Sequence, residues 1–114
     1  MNKQALIDFA LNLGPTFADT PFKKMEKGTP TLVIRHLKNK KIFAFISERG
    51  DDLIVAVKLN PEGALELREF FADVTPAFHM NKMHWSDIRI GGDVADEQVY
   101  KMIENSYDLI KPKR

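Results

Sequence analysis

The sequence predicts an α+β fold in a single domain, an antiparallel sheet with helices packed on it. Three observations carry this reading. Three runs rich in Val, Ile and Phe, at residues 31–37, 41–47 and 52–59, follow one another with short polar separators. Other stretches place apolar residues at helical spacing. The 114 residues show no repeat and no linker long enough to divide them, so 1–114 read as one domain.

The elements follow in order. Leu6, Phe9, Ala10 and Leu13 mark a helix over residues 3–13, stopped by Gly14-Pro15. Residues 15–30 hold Pro15, Pro21, Pro30 and Gly28 and read as an irregular connection, pinned to the core by Phe17 and Phe22. Lys38-Asn39-Lys40 and Arg49-Gly50-Asp51 then suit tight hairpins between the three strands. With Asn39-Lys40 as a two-residue turn, His36 pairs with Phe43, Ile34 with Phe45 and Leu32 with Ser47. Leu32, Ile34, His36, Phe43 and Phe45 then share one face, and Val33, Arg35, Leu37, Ile42, Ala44 and Ile46 the other. Both faces are substantially apolar. Both therefore want cover, from helices on one side and from a loop or a partner on the other.

Asn60-Pro61-Glu62 is a helix start: an Asn cap, Pro at the first helical position and an acid in the first turn. Ala64, Leu67, Phe70 and Phe71 form its expected buried stripe. It ends near Asp73, because Pro76 disfavours helical geometry at Thr75. A fourth strand over 84–90 stops at Gly91-Gly92. A last helix over 96–110 carries Val99, Met102, Ile103, Ser106, Tyr107 and Ile110 on one side. The expected order is α-β-β-β-α-β-α.

Composition excludes several classes of chemistry. There is no cysteine, so disulfides, thiolate metal sites and cysteine nucleophiles are out. No secretion signal opens the chain and no apolar run approaches a membrane span, which predicts a cytoplasmic protein with no membrane partner. The net charge is +1, whereas a dedicated nucleic-acid binder is often far more basic. Local clusters still matter: Lys23-Lys24, Lys38-Asn39-Lys40-Lys41 and the tail Lys111-Pro112-Lys113-Arg114.

The densest chemistry lies at Thr75-Pro76-Ala77-Phe78-His79-Met80-Asn81-Lys82-Met83-His84-Trp85. Two of the three histidines and the only tryptophan fall there. In a strand, His84, Ser86, Ile88 and Ile90 share one face, and Trp85, Asp87 and Arg89 the other. That alternation separates Asp87 from His84 and Ser86, so no hydrolase triad forms, and there is no Gly-x-Ser-x-Gly elbow. His79 and His84 are five apart, a spacing that suits neither a helix nor a strand metal pair. Phosphate-loop and dinucleotide fingerprints are absent. The sequence therefore predicts no catalytic activity, no metal and no cofactor. Nucleic-acid contact is better supplied. Lys82 and Arg89 can meet phosphates, Asn81 a base edge, and Phe78, His79 or Trp85 can stack. The basic tip at Lys38, Lys40 and Lys41 suits a wing against the backbone.

The eleven-residue stretch resembles the signature of the MmcQ/YjbR family of small bacterial proteins. Lys41-Ile42-Phe43-Ala44-Phe45, Val57-Lys58-Leu59-Asn60-Pro61-Glu62, Gly92-Asp93 and Ile103-Glu104-Asn105-Ser106-Tyr107 are similar to further family segments. The resemblance spans roughly residues 20–110. Met83 stands where many relatives carry a charge, and Ser86-Asp87 replaces a more usual Asn-Thr. The resemblance implies a CyaY-like α+β fold and a DNA-binding role through a double-wing arrangement.

Two readings follow. The first is a DNA-binding domain that uses His79, Asn81, Lys82, His84, Trp85 and Arg89 with the tip Lys38, Lys40 and Lys41. The alternative is a non-catalytic adaptor or homodimer that meets a protein, or a second copy of itself, through an apolar sheet face bearing Val33, Ile46 and Val55.

Overall fold

The chain begins with helix α1 (Lys3–Leu11), capped by the Asn2 side chain, which accepts from the Ala5 N–H at 2.8 Å. Strands β1 (Thr16–Asp19), β2 (Leu32–His36), β3 (Ile42–Arg49) and β4 (Asp52–Lys58) follow. Helix α2 (Pro61–Phe70) starts where Asn60 Oδ1 accepts from the Glu62 N–H at 3.0 Å. Strands β5 (Val74–Pro76) and β6 (Trp85–Arg89) lead into α3 (Asp96–Ile110). This is a computed structural model, and it describes residues 1–77 and 80–113.

The six strands form one sheet, ordered β1-β2-β3-β4-β6-β5, and every neighbouring pair is antiparallel. The α+β class holds, with two strands added to the expected order. β1 lies in the proline-flanked connection, and β5 is three residues ending at Pro76. Both are too short to show a period, and both sit at the sheet's edges. Short edges, one of them carrying a proline, discourage pairing with another chain.

The helices cover one face. Ile34, Ala44, Ile46, Val55, Val57, Ile88 and Val74 pack there with Leu6, Val99, Met102 and Ile103. The other face carries Val33, Phe45, Ala56 and Asp87, which lie in adjoining register positions.

The first hairpin departs from the expected pairing. The register is Leu32↔Ile46, Val33↔Phe45, Ile34↔Ala44 and Arg35↔Ile42, with a bulge that leaves Phe43 as the extra residue. The turn is wider than two residues: the Lys40 N–H donates to the His36 carbonyl at 3.0 Å, and Lys40 takes φ 64. A one-residue slip moves a strand's side chains to the opposite face. Phe45 thus faces away from the helices, while Ala44 and Ile46 join the core beside Phe43. Ile46 and Val55, expected on a free apolar face, are buried under the helices, and Val33 is fully buried on the other side. Phe70 is a second correction. It is 79% exposed and does not belong to the buried stripe of α2, where Ala64 and the following Phe71 do.

Candidate functional site

The sheet's register sorts charge to its two ends. At one end lie the β2–β3 hairpin, the end of β4 and the start of β6. Val57 pairs with both Ala44 and Ser86, and the Leu59 N–H donates to the His84 carbonyl at 2.8 Å. Lys38, Lys40 and Lys41 are exposed on the hairpin; Lys58 and Lys82 belong to the same end. The C-terminus of α3 arrives there too, because Asn39 Nδ2 donates to the Ile110 carbonyl at 3.1 Å. That bond brings Lys111 and Lys113 alongside. Asp108 pairs with Lys111 at 3.6 Å, and Glu62 in the first turn of α2 lies at the same end.

The hairpin is held from several directions. Asn39 Oδ1 accepts from the Lys41 N–H at 3.0 Å, and Arg35 donates to the Lys40 carbonyl at 2.9 Å. The Lys40 ammonium sits 5.1 Å from the centre of the Phe17 ring. Below it, His36 packs against Phe43 and Tyr107, its Nε2 3.0 Å from the Tyr107 carbonyl. Burial holds the His36 imidazole below its ordinary value, against the opposing pull of that carbonyl and of Asp108. Ser106 Oγ closes the arrangement: it accepts from the Lys58 N–H at 2.9 Å and donates to the Phe43 carbonyl at 2.6 Å.

The segment before β6 is shaped largely by its own hydrogen bonds. Asn81 Oδ1 accepts from the Met83 N–H at 3.0 Å, and the Asn81 carbonyl accepts from the N–H groups of His84 and Trp85. Arg68, in the last turn of α2, clamps the segment. Its guanidinium donates to the carbonyls of Lys82, at 2.5 Å, and Trp85, at 3.0 Å, and to Ser86 Oγ. Trp85 is half-buried edge-on against Phe45, 5.2 Å between ring centres. Lys82 is exposed and His84 half-buried. His79 and Phe78 lie outside the described residues.

Arg89, grouped with these residues by sequence, is elsewhere. It sits at the opposite end of the sheet, 2.7 Å from Asp73 and 3.8 Å from Asp52. Its guanidinium holds the Asp73 carboxyl below the usual carboxylate range, aided by the Asp93 N–H, and Asp73 in turn raises Arg89. Asp93 ties the same corner by accepting from the Ala72 and Asp73 N–H groups at 2.8 and 3.1 Å. A Cβ at Gly92 would collide with the Asp73 carboxylate and the Arg89 guanidinium, so a larger residue there would force this ion pair to shift.

Sequence reasoning missed Arg68, Asp73 and the Arg49–Asp87 pair. Arg49 donates to Asp87 Oδ2 at 2.8 Å, while Oδ1 of this buried carboxylate meets no hydrogen-bond donor among the described residues. The signal was the acid placed on a face shared with Trp85, but its partner lies 38 positions away in sequence. Among the described residues, no group of three or more His, Cys, Asp or Glu side chains is placed to hold a metal ion. No helix there is long and apolar enough to cross a membrane.

These features define a small antiparallel α+β domain with a lysine-rich end and a clamped loop feeding its fifth sheet position. The chain belongs to the YjbR family, whose model matches residues 11–109. Among curated relatives, the uncharacterised protein YjbR of Escherichia coli (strain K12) is 38% identical over 66 residues, 58% of this chain and 56% of that protein. The chain thus matches just over half the length of that relative. The uncharacterised protein YyaQ of Bacillus subtilis is 28% identical over 105 residues, 83% of this chain and 88% of that one. A crystal structure from Pseudomonas syringae superposes with TM-score 0.81 at 31% identity, covering 96% of this chain and 98% of that one. A Deinococcus radiodurans protein with a DUF419 domain gives TM-score 0.82 at 26% identity, covering 96% and 78%.

Proposed function

We propose that this protein is a non-catalytic DNA-binding module that meets the phosphate backbone with the lysine-rich end of its sheet. The observation that supports this reading is the gathering of Lys38, Lys40, Lys41 and Lys58 at one end by sheet register, joined by Lys111 and Lys113 through the Asn39–Ile110 bond. A chain of net charge +1 thereby presents a local cationic surface. Phosphate contact of this kind is independent of sequence and sensitive to salt. Asn81 and Trp85 act in this reading by shaping the loop that carries Lys82. Arg89 does not take part, because it is at the other end and spent on carboxylates.

The test is electrophoretic retardation of a short duplex and of a single strand across a salt series. Binding should weaken as salt rises, and Lys41→Ala should make the log-log slope shallower by about one unit. No retardation of either probe at low salt would end the proposal.

A further inference from the structure

Helix α2 starts at the lysine end of the sheet and α3 finishes there, so the two run antiparallel. A groove of about 360 Å³ lies between them. Gly63 and Leu67 line it from α2, and Asn105, Asp108 and Leu109 from α3. A benzene-sized ring needs about 150 Å³, so the groove has room for an aromatic side chain. Gly63 leaves its α2 side open. The backbone there is not left-handed, and a Cβ would meet no atom within 4 Å. Glycine suits a helix less than any residue but proline. Nothing among the described residues requires it.

Phe70 is the reverse case. It ends the same helix and is 79% exposed. Its ring meets the buried Phe71 edge-on, 4.8 Å between centres, and still stands in solvent. Gly63, Leu67 and Phe70 occupy positions i, i+4 and i+7, on one face of α2. Gly63 lies four residues before Leu67 and Phe70 three after it. Two copies of α2 laid antiparallel about a twofold axis beside Leu67 therefore bring Phe70 of each copy onto Gly63 of the other. The strip is its own complement, as a twofold contact between identical chains needs. The flanking charges agree. Glu66, next to Leu67, and Lys101, one turn before Asn105 on α3, are exposed and have no ion pair among the described residues. In the paired helices, Glu66 of one copy lies level with Leu67 of the other and faces Lys101 across the groove.

We propose that two copies of this chain form a symmetric dimer, each inserting Phe70 into the other's α2–α3 groove against Gly63. A contact that rests on one ten-residue helix is smaller than the roughly 1,200 Å² at which stable interfaces begin, so the dimer is weak and forms at about 100 μM.

Sedimentation velocity from about 20 μM to 1 mM tests this. The protein should pass reversibly from monomer to dimer and form nothing larger. Phe70→Ser removes the inserted ring and Gly63→Leu fills the space it enters. Each should weaken association at least about tenfold. A dispersed amide NMR spectrum verifies that each variant is folded. Mixing the two variants should restore part of the dimer, because the Gly63→Leu copy still offers Phe70 and the Phe70→Ser copy still offers an open groove. A monomer at every concentration, open-ended polymers, a dimer indifferent to either substitution, or a mixture no better associated than its components would overturn the proposal.

Discussion

Where β3 begins, Lys38, Lys40 and Lys41 stand on a hairpin with no carboxylate partner among the described residues. Where β3 finishes, Arg49 is held by Asp87, Arg89 by Asp73 and Asp52, and Lys3 by Glu48. The two ends also differ in what fastens them. The lysine end is fixed mainly by hydrogen bonds, from the neutral side chains of Ser106, Asn39 and His36 and from the Arg35 and Arg68 guanidinium groups to backbone carbonyls; at the opposite end cations meet carboxylates. The cations at the opposite end are matched by carboxylates within the chain, whereas Lys38, Lys40 and Lys41 stand on a hairpin that other groups hold in place. The arrangement separates the fold's stability from its surface charge at the lysine end and merges them at the other.

The largest effect should come from reversing charge at each end in turn. Lys38→Glu with Lys41→Glu should weaken duplex binding by about 100-fold at low salt, since two phosphate contacts become repulsions. Asp51→Lys at the opposite hairpin should change it by less than about threefold. Equal losses from both changes, measured by retardation or fluorescence anisotropy, would break the contrast between the ends.

Next in size is Ser106→Ala. It leaves the Lys58 N–H and the Phe43 carbonyl without their buried partner, a loss of about 2 kcal/mol in urea unfolding. The loss should persist at high salt, because the lost bonds are between neutral groups. A salt-dependent loss would show that the lysine end is held by ions after all.

Acid should expose the two ends in different windows. His36 titrates lower in the folded protein than its ordinary 6.5, so the unfolded chain takes up the proton first. Stability is therefore whole above that value and falls as pH drops from it toward the folded pKa. Asp73, lowered from 3.8 by Arg89, keeps its contribution above that value and loses it as pH falls through its folded pKa. Urea midpoints against pH should show both limbs. His36→Phe should flatten the first limb and Arg89→Gln the second; if one variant removes both, the ends are coupled.

Much of this was legible in the sequence, and the failures have specific causes. The helix over 96–110 and its side of Val99, Met102, Ile103 and Ser106 were readable because fifteen residues hold a clear period. The three Val/Ile/Phe strands were readable from composition. Their faces were not, because a bulge at Phe43 and a turn with Lys40 in a left-handed conformation both follow from tertiary fit. β1 and β5 are shorter than any period. The lysine tip was visible as a charge run, but its meeting with Lys58 and the α3 terminus depends on register and on one bond 71 positions long. Arg89 was misgrouped because strand neighbours in sequence share a face but not an end.

The smallest expected effect is also the most discriminating for that last point. Trp85 to Arg89 spans four strand steps, about 14 Å, so Arg89 lies beyond the Debye length of about 10 Å at 0.1 M salt. Arg89 is also matched by Asp73 and Asp52, so removing its charge alters a neutralised corner. Arg89→Gln should leave duplex affinity within about twofold at 0.1 M salt and leave the salt slope unchanged. A loss comparable to that of Lys41→Ala would mean that DNA follows the outer face of β6 along its whole length. The lysine end would then be one part of a longer interface.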